Sequence, residues 1–314
     1  MGLIGPFFAD ASRSDKSCFI EFECTMQPAD IRINGKHNMQ HAGRYFPFVI
    51  DISKYLVYGK SNRIPVRLDN RDNPPIPPGK FLEKPDFCQY GDIYRDVSLI
   101  VKNKIHITDA VFADEIAGGD VFVTYPFVSH TIARINVKAH LKQGSADDTT
   151  VRIKQRLYAI EGLFGERHAG KEAASVVPGA KMKAGESRHF TKSITVKEPR
   201  LWSPDAPYLY LLRSEVIAQD KVTDFAEQRI GIRMIKFTLE NGFEISGHKL
   251  RLTGTNRHQE YPWNAVPIAV QHRDIYQIKT SGFNIVAKSA TAKTTKTIIP
   301  GPWRTKYYLK YQNP

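Results

Sequence analysis

The chain has 314 residues, of which 41% are hydrophobic and 25% are charged, a composition that excludes an intrinsically disordered protein. This length is enough for two ordinary domains and part of a third. The net charge is +13, but the basic residues in the body of the chain are interspersed with acids. We therefore expect no nucleic-acid partner. Because no apolar run approaches the length of a membrane span, we expect no membrane partner. The first eleven residues lack the basic start of a signal peptide, and the compartment is left open.

The cysteines and histidines do not form a metal-binding pattern. Cys18, Cys24 and Cys88 are an odd number without Cys-x-x-Cys spacing, so they predict neither a zinc site nor a disulfide framework. His37 and His41 are four residues apart, which suits a metal ion only on a helix, and this segment is predicted as turn and strand. We therefore expect buried thiols, a solvated pair of histidines and no metal site.

Residues from Cys18 onward alternate with the period of half-buried antiparallel strands. From Ile20 to Cys24, for example, apolar side chains alternate with glutamates. Asn34-Gly35 predicts a tight hairpin, because both central positions of such a turn need positive φ. The proline-rich run Pro74–Pro78 excludes both a helix and a central strand, so it is interpreted as a surface loop. This pattern predicts a β-sandwich.

A second set of strands begins near Ile132. The predicted strands cover residues 132–141, 151–159, 190–196, 208–212 and 229–237. Strands with this spacing in about 110 residues are typical of an immunoglobulin-like sandwich. The intervening segments 142–150 and 165–183 are rich in Gly, Ala and Lys and are predicted to be surface loops.

The pattern changes between Gly242 and Val286. A hairpin with its turn at Ser246-Gly247-His248 is predicted first, and the polar residues Asn256–Glu260 follow it. A helix is predicted over residues 270–279 with Gly282 as its C′ cap, and a new strand starts directly afterwards. Strand, helix and strand begin a β/α unit, and polar residues after a first parallel strand are where such folds place their chemistry.

Four stretches together resemble the segments of one family, in the family's order. They are Asn34-Gly35-Lys36 with His41–Phe48 and Asp51-Ile52; Pro85–Val97; Leu201–Pro204 with Pro207–Tyr210; and Gly254–His258 with Gly282–Asn284. The first two resemble the sugar-binding jelly-roll domain of glycoside hydrolase family 2, the β-galactosidase and β-glucuronidase family. The third resembles the end of its immunoglobulin-like domain, and the fourth resembles the start of its catalytic (β/α)8 barrel.

The resemblance implies a mainly β fold in three parts. It implies a jelly-roll β-sandwich over residues 1–127, an immunoglobulin-like β-sandwich over 128–237 and a β/α/β stub of a TIM barrel over 238–286. It also implies a retaining exo-β-glycosidase that hydrolyses terminal β-linked sugars, most like a β-galactosidase. The expected partner is a β-linked sugar or oligosaccharide, and the oligomeric state is left open.

The catalytic carboxylates that the resemblance implies cannot be placed. Retaining glycosidases use two carboxyl groups about 5 Å apart. After Leu250 the only carboxylates are Glu260 and Asp274, and neither matches a family glutamate. Asp274 is expected to be solvated on the helix, so no catalytic residue is assigned and the chain is expected to be an inactive fragment. The alternative is a non-catalytic carbohydrate-binding or scaffold module.

Asp86, Arg257 and His258 are the candidate sugar-binding residues that the resemblance implies. Asp86 matches an aspartate that reaches into the sugar pocket and accepts hydrogen bonds from hydroxyl groups; the alternative is an Asx turn before Phe87. Arg257 and His258 match a motif at the end of the first barrel strand. For these two residues, packing and hydrogen bonding within the fold are the alternative to sugar contact.

Several further residues are predicted to have structural roles. Arg95 and Asp96 are predicted to form an ion-pair node. Trp202 is predicted to pack in a core or domain interface, with sugar stacking as the alternative. Gly91-Asp92 stands where the family usually has two glycines, so a strained turn is expected.

The chain departs from the resemblance after Val286. Residues 287–293 lack the sugar-contacting histidine that the family has there. Residues 287–314 contain six basic residues and no acid, and they are predicted to be an off-family, disordered basic tail. We expect a loss of the reading frame near Val286. The magnesium or sodium ligands common in the family cannot be placed, so no cofactor is identified.

Overall fold

The computed structural model describes residues 2–26, 28–43, 46–71, 73, 75–76, 91–160, 169–176, 179–257, 268–288, 305–308 and 311–312. These residues form two compact units. The first unit contains the described residues up to Val101 and those from Thr253 onward. The second unit contains those from Lys102 to Leu252.

The strands and the helix follow one another in this order. The strands before the helix are β1 (Gly2–Ala9), β2 (Ser17–Phe22), β3 (Ala29–Ile33), β4 (Lys36–His41), β5 (Phe48–Asp51), β6 (Lys60–Leu68), β7 (Val97–Lys102), β8 (Ile105–Ile107), β9 (Val121–Val128), β10 (Ile132–Gln143), β11 (Thr149–Ile160), β12 (Ala169–Val176), β13 (Gly179–Met182), β14 (Ser187–Lys197), β15 (Tyr210–Ala218), β16 (Lys221–Ile230), β17 (Ile235–Thr238), β18 (Gly242–Ile245), β19 (His248–Lys249) and β20 (Gly254–Arg257). Then come α1 (Ile268–Thr280), β21 (Ile285–Lys288), β22 (Thr305–Tyr308) and β23 (Tyr311–Gln312).

The first unit contains a two-sheet sandwich. One sheet has the order β23-β1-β6-β3-β4 and the other has the order β22-β7-β2-β5. Isoleucine, phenylalanine, valine and leucine side chains from both sheets form one buried cluster, which includes Ile20, Phe22, Ile31, Ile50, Ile64, Val66 and Leu99. The mainly β fold and its first sandwich are as predicted.

The predicted hairpin at Asn34-Gly35 is confirmed. β3 and β4 flank this turn, and Asn34 and Gly35 have φ values of 49° and 82°. Both values lie in the left-handed region, which asparagine and glycine tolerate better than other residues.

The prediction that β2 is half buried was wrong. All six residues of β2 are buried, including the carboxylate-bearing Glu21. Phe19, Val49 and Ile100 form a second small cluster on the face of the sheet opposite the main core. The alternation of apolar and acidic residues therefore does not mark a solvent-facing side here.

The second unit contains another two-sheet sandwich. Its sheets have the orders β14-β10-β8, with β9 also paired to β10, and β12-β11-β15-β16, with β13 also paired to β11. The two sheets enclose one buried cluster with contributions that include Ile135, Val137, Leu141, Ile153, Leu157, Leu212 and Val216. This arrangement agrees with the predicted second sandwich.

The boundary between the two compact units lies at residues 101–102, whereas the sequence predicted a domain boundary at 127–128. β8 pairs with the end of β10, and β9 pairs with β10 from Val121 opposite Ala139. The carboxylate of Asp224 accepts the Ile107 N–H at 2.9 Å and lies 3.4 Å from the Lys102 ammonium. Residues 102–128 are thus tied to the second sandwich.

Two predicted elements of the second unit were also wrong. The segment 165–183 was predicted to be a loop, but it contains β12 and β13, which pair with β11. The predicted strand 229–237 is interrupted after Ile230 and resumes at Ile235. Trp202 causes the interruption, because its N–H donates to the Ile232 carbonyl at 2.8 Å and its ring packs against Gly231.

The predicted hairpin that follows is confirmed at its turn. β17, β18 and β19 form a three-stranded sheet, and Ser246 and Gly247 have positive φ. β19 is only two residues long. Leu250 and Leu252 therefore lie beyond the strand to which the sequence assigned them.

The end of the chain contains two short strands. β22 pairs with β7, and β23 pairs with β1. For these residues the structure differs from the predicted disorder. Residues 289–304, 309–310 and 313–314 lie outside the described residues.

Candidate functional site

The β/α/β unit in the first unit of the fold is formed by β20, α1 and β21. The two strands are parallel, with Gly254 opposite Ile285 and Arg257 opposite Lys288. The helix begins two residues before its predicted start and ends one residue after its predicted end, and Gly282 follows it with φ 85°. The helix and the second strand are as predicted, whereas the first strand is Gly254–Arg257 and follows Leu250 and Leu252, where the sequence placed it.

Close contacts set the register of the two parallel strands. A β-carbon on Gly254 would lie 2.6 Å from Cγ2 of Ile285, so only glycine allows this approach. The side-chain carbonyl of Asn284 accepts the Thr253 N–H at 2.9 Å, and the Asn284 N–H donates to the Thr253 carbonyl at 3.0 Å. These contacts fix the start of β20 beside the start of β21.

Arg257 lies at the carboxyl end of β20 and forms an ion pair with Asp274 on α1. Its Nε and Nη2 donate to Oδ2 of Asp274 at 3.2 Å and 2.5 Å. The two side chains are 12% and 24% exposed. The guanidinium of Arg273 also donates to Oδ1 of Asp274 at 3.1 Å. Arg257 thus joins the end of β20 to the helix that follows it.

The expectation that Asp274 is solvated was wrong, because two arginines surround its carboxylate and shift its pKa. Burial acts to raise the pKa of Asp274, but the hydrogen bonds and charges of Arg257 and Arg273 outweigh it and hold the pKa below its usual value. A general acid needs a raised pKa near the working pH. The lowered pKa of Asp274 is the opposite of what a general acid needs, and it fits a structural anion.

The other residues of the candidate site lie outside the described residues. These are Asp86, His258 and Glu260. The sequence therefore remains the sole support for sugar binding by Asp86 and His258. For Arg257, the structure supports packing and hydrogen bonding within the fold.

The segment before β7 contains the turn for which strain was predicted. Asp92 has φ 60°, a conformation that glycine adopts at lower cost. Its carbonyl accepts the Met26 N–H at 2.8 Å, which holds the turn in place. The guanidinium of Arg95 lies 5.8 Å from the ring centroid of Tyr94. The ion-pair node between Arg95 and Asp96 stays a prediction.

Trp202 packs within the second unit, as predicted. In addition to the contacts that interrupt the strand after Ile230, its carbonyl accepts the hydroxyl of Ser246 at 3.1 Å. The guanidinium of Arg233 lies 5.5 Å from its ring centroid. These contacts give Trp202 a structural role.

His37 and His41 do not form the predicted solvated pair. A bulge in the β3–β4 pairing places His37 opposite Arg32 and His41 opposite Ala29. His37 is exposed and lies 3.4 Å from Asp30, whereas the ring of His41 stacks on Phe48 at 4.0 Å. Burial lowers the pKa of His41. Cys18 and Cys24 are buried as predicted.

Two residues of the β20–α1–β21 unit were not predicted to be important. Asp274 anchors Arg257, and Asn284 anchors Thr253. The only sequence signal for Asp274 was its position on the half-buried side of α1, four residues after Val270 and four before Ile278.

Within the part of the chain that the structure describes, no cluster of three or more His, Cys, Asp or Glu residues could hold a metal ion. None of the described helices has the length and apolarity to cross a membrane.

Comparison with known families identifies both sandwiches. The model of the sugar-binding domain of glycosyl hydrolases family 2 matches residues 6–103, and the Glycosyl hydrolases family 2 model matches residues 115–233. The chain belongs to glycosyl hydrolase family 2. The first match ends at residue 103, close to the division between the two units after Val101.

Relatives from this family align with most of the chain. A β-galactosidase of Thermoanaerobacter pseudethanolicus is 30% identical over 287 residues, which are 90% of this chain and 35% of that protein. A β-glucuronidase of Formosa agariphila is 29% identical over 81% of this chain and 25% of that protein. A crystal structure of a putative β-galactosidase from Bacteroides fragilis matches with a TM-score of 0.79 and 26% identity, over 90% of this chain and 40% of that one. The chain therefore spans 25–40% of the length of these three relatives.

Proposed function

We propose that this family 2 chain supplies the sugar-binding sandwich, the supporting sandwich and the barrel start of a retaining exo-β-glycosidase that acts on terminal β-galactosides. The observation that carries the proposal is the parallel β20–α1–β21 unit, with Arg257 at the carboxyl end of its first strand. In β/α barrels this end of the strands is where the active site is built. The β-galactosidase relative supports a galactoside, and the β-glucuronidase relative makes a glucuronide the competing substrate.

In this proposal the three candidate residues have different roles. Asp86 accepts hydrogen bonds from the hydroxyl groups of the terminal sugar. His258 follows Arg257 directly and contacts the sugar at the end of the first strand. Arg257 itself acts as a positioning residue, because Asp274 fixes two of its guanidinium nitrogens and thereby the end of the strand.

The residues of the chain after Leu250 do not supply the chemistry of glycoside cleavage. A retaining mechanism needs a nucleophilic carboxylate and a second carboxyl group that protonates the leaving group. Arg257 and Arg273 engage both carboxylate oxygens of Asp274, and Glu260 is the only other carboxylate after Leu250. We therefore infer that the 314-residue chain alone does not hydrolyse glycosides.

Hydrolysis of nitrophenyl β-galactoside by the purified chain tests this inference. We expect nitrophenol release no faster than in buffer. Turnover that saturates with substrate and disappears in the Glu260→Gln variant would contradict it. Binding of methyl β-galactoside without turnover fits both the proposed role and a non-catalytic binding module. The glycosidase activity of a chimera with a β-galactosidase relative distinguishes these two roles.

A further inference from the structure

The outward face of the sheet formed by β9, β10 and β14 carries side chains that the proposed glycosidase function does not use. Pairing places these residues in three rows across the sheet, which are Phe122, Lys138 and Thr191; Thr124, Asn136 and Ser193; and Phe127, Arg134 and Thr195. The residues that alternate with them on β10, Ala133, Ile135 and Val137, are fully buried in the core of the second unit. The named rows therefore point away from that core. We call them the outer face.

Two aromatic rings stand on the outer face at one edge of the sheet. Phe122 is 40% exposed and Phe127 is 49% exposed. They are an odd number of residues apart, so in a regular strand they would point to opposite sides. A bulge opposite Ile135 shifts the pairing between Arg134 and Asn136 and returns Phe127 to the outer face, while Tyr125 packs against the core. Bulges of this kind re-aim side chains and are common beside functional sites.

The charge on the outer face has one sign. Along β10 the outward residues include Arg134, Lys138 and Lys142, and the outward positions of β9, β10 and β14 contain no carboxylate. In the described part of the chain, neither Arg134 nor Lys138 has a carboxylate within ion-pair distance. The ammonium of Lys138 lies 5.8 Å from the centroid of the Phe122 ring.

On the other sheet of the same unit, an arginine is paired with carboxylates. There Arg213 donates to Glu215 at 2.7 Å and to Glu227 at 2.9 Å. Its guanidinium also lies 4.2 Å from the Phe225 ring. On that sheet an arginine is neutralised by two carboxylates, so the unpaired cations of the outer face are not a general feature of the sandwich.

We propose that the outer face binds an acidic polysaccharide, a chain of sugars that carry carboxylate or sulfate groups. Phe122 and Phe127 stack on the apolar faces of two sugar rings. Arg134 and Lys138 pair with the anionic groups. The hydroxyl groups of Thr124, Thr191 and Thr195 exchange hydrogen bonds with sugar hydroxyls. This binding does not depend on glycoside hydrolysis.

Single-stranded nucleic acid is the competing ligand, because it also combines stacking with cationic contacts. The spacing of the rings excludes stacking on successive bases. Five residues of strand separate Phe122 from Phe127 by roughly 15 Å, and such a distance does not allow successive bases to stack on the two rings. An extended polysaccharide can place non-adjacent sugars on them.

Affinity electrophoresis in gels that contain polygalacturonate tests the proposal with the full chain. We expect the native protein to be retarded by polygalacturonate and much less by an uncharged galactan. The double substitution Phe122→Ala and Phe127→Ala should weaken polygalacturonate binding by about tenfold. The double substitution Arg134→Gln and Lys138→Gln should weaken it and reduce its dependence on salt.

Phe237→Ala is the matched aromatic control, because Phe237 is 70% exposed but lies on β17. Lys221→Gln is the matched charge control, since Lys221 is an exposed residue at the start of β16. Both controls should bind like the native chain. The altered side chains are exposed except that of Lys138, which is half-buried. An unchanged circular dichroism spectrum confirms that each variant is folded. Failure of polygalacturonate to bind, equal binding of galactan, equal losses in the controls or tighter binding of single-stranded poly(U) would each overturn the proposal.

Discussion

Arg257 and Asp274 link β20 to α1, with Nη2 of the arginine 2.5 Å from Oδ2 of the aspartate. The pair is largely shielded from solvent, and Arg273 adds a second donor to the same carboxylate. In the proposed enzyme this contact orients the end of the strand that carries His258. The contact is therefore a direct target for mutation.

Asp274→Asn should loosen the β20–α1 contact, because it removes the charge that two arginines share. We expect a coupling energy of about 1 kcal/mol between positions 257 and 274 in a double-mutant cycle with Arg257→Gln. Hydrogen exchange of the α1 amides measures this coupling energy at the helix itself. Because the folded-state pKa of Asp274 is lowered, its contribution should be present above the usual aspartate pKa and be lost as the pH falls below it. Additive effects of the two substitutions would show that the pair is not coupled.

Gly254→Ala should destabilise the parallel strand pair by about 1–3 kcal/mol, because the new methyl group meets Cγ2 of Ile285. Ile285→Ala removes that atom, so the double variant should recover part of the loss. Urea denaturation followed by hydrogen exchange in β20 measures both effects. Gly242→Ala is an informative comparison, since no atom lies within 4 Å of its β-carbon position and its cost should come from its φ of 68° alone. No recovery in the double variant would contradict the steric explanation.

Asp92→Gly should stabilise the first unit by about 0.5 kcal/mol, because glycine adopts positive φ without strain. Asp92→Val should destabilise it, since a β-branched residue is poorly tolerated in this conformation. Thermal unfolding of the two variants provides the comparison. Destabilisation by the glycine variant would mean that the aspartate side chain makes a contact worth more than the strain.

His140 should make the second unit less stable at acidic pH. Its ring is buried, stacks on His189 with centroids 4.4 Å apart, and lies 3.0 Å from the Thr108 hydroxyl. Burial, and then the neighbouring His189, lower the pKa of His140 from its ordinary value of 6.5, while Glu115 acts in the opposite direction. The unfolded chain therefore binds more protons, so stability is lost as the pH falls below about 6.5.

The variant His140→Gln should flatten this pH dependence. Urea titrations between pH 7.5 and pH 5 measure it, and His248→Gln on the exposed strand β19 is the control. A native-like pH slope in the His140 variant would assign the acid sensitivity to another group. His41 is the alternative, because burial lowers its pKa as well.

Local sequence rules predicted the parts of the fold that depend on local conformation. Asn34-Gly35 and Gly282 could be predicted because positive φ restricts the choice of residue, and α1 could be predicted from its apolar periodicity. The unit boundary could not be predicted from local patterns, because it depends on pairing between Ile107 and Leu141, which are far apart in the sequence. The break after Ile230 likewise depends on Trp202, which packs there from a distant segment.

In the candidate site, too, the sequence predicted the local feature but not the long-range contact. The position of Arg257 at a strand end followed from the sequence, but its partner did not. Asp274 lies seventeen residues later, and only the packing of α1 against β20 brings the two together. The motif carried the family resemblance, whereas the ion pair that determines the role of Arg257 is a tertiary contact.

A chimera tests the central proposal most directly. In it, residues 1–286 replace the corresponding part of the Thermoanaerobacter pseudethanolicus β-galactosidase, of which the match to this chain covers 35%. We expect hydrolysis of nitrophenyl β-galactoside in preference to the β-glucuronide. Asp86→Ala should lower kcat/KM by about 10- to 100-fold. Asp69→Ala is the matched control, because that carboxylate pairs with Arg71, and it should leave kcat/KM unchanged. A folded chimera that is inactive, or one in which Asp86→Ala has no more effect than Asp69→Ala, would contradict the proposed role of this chain.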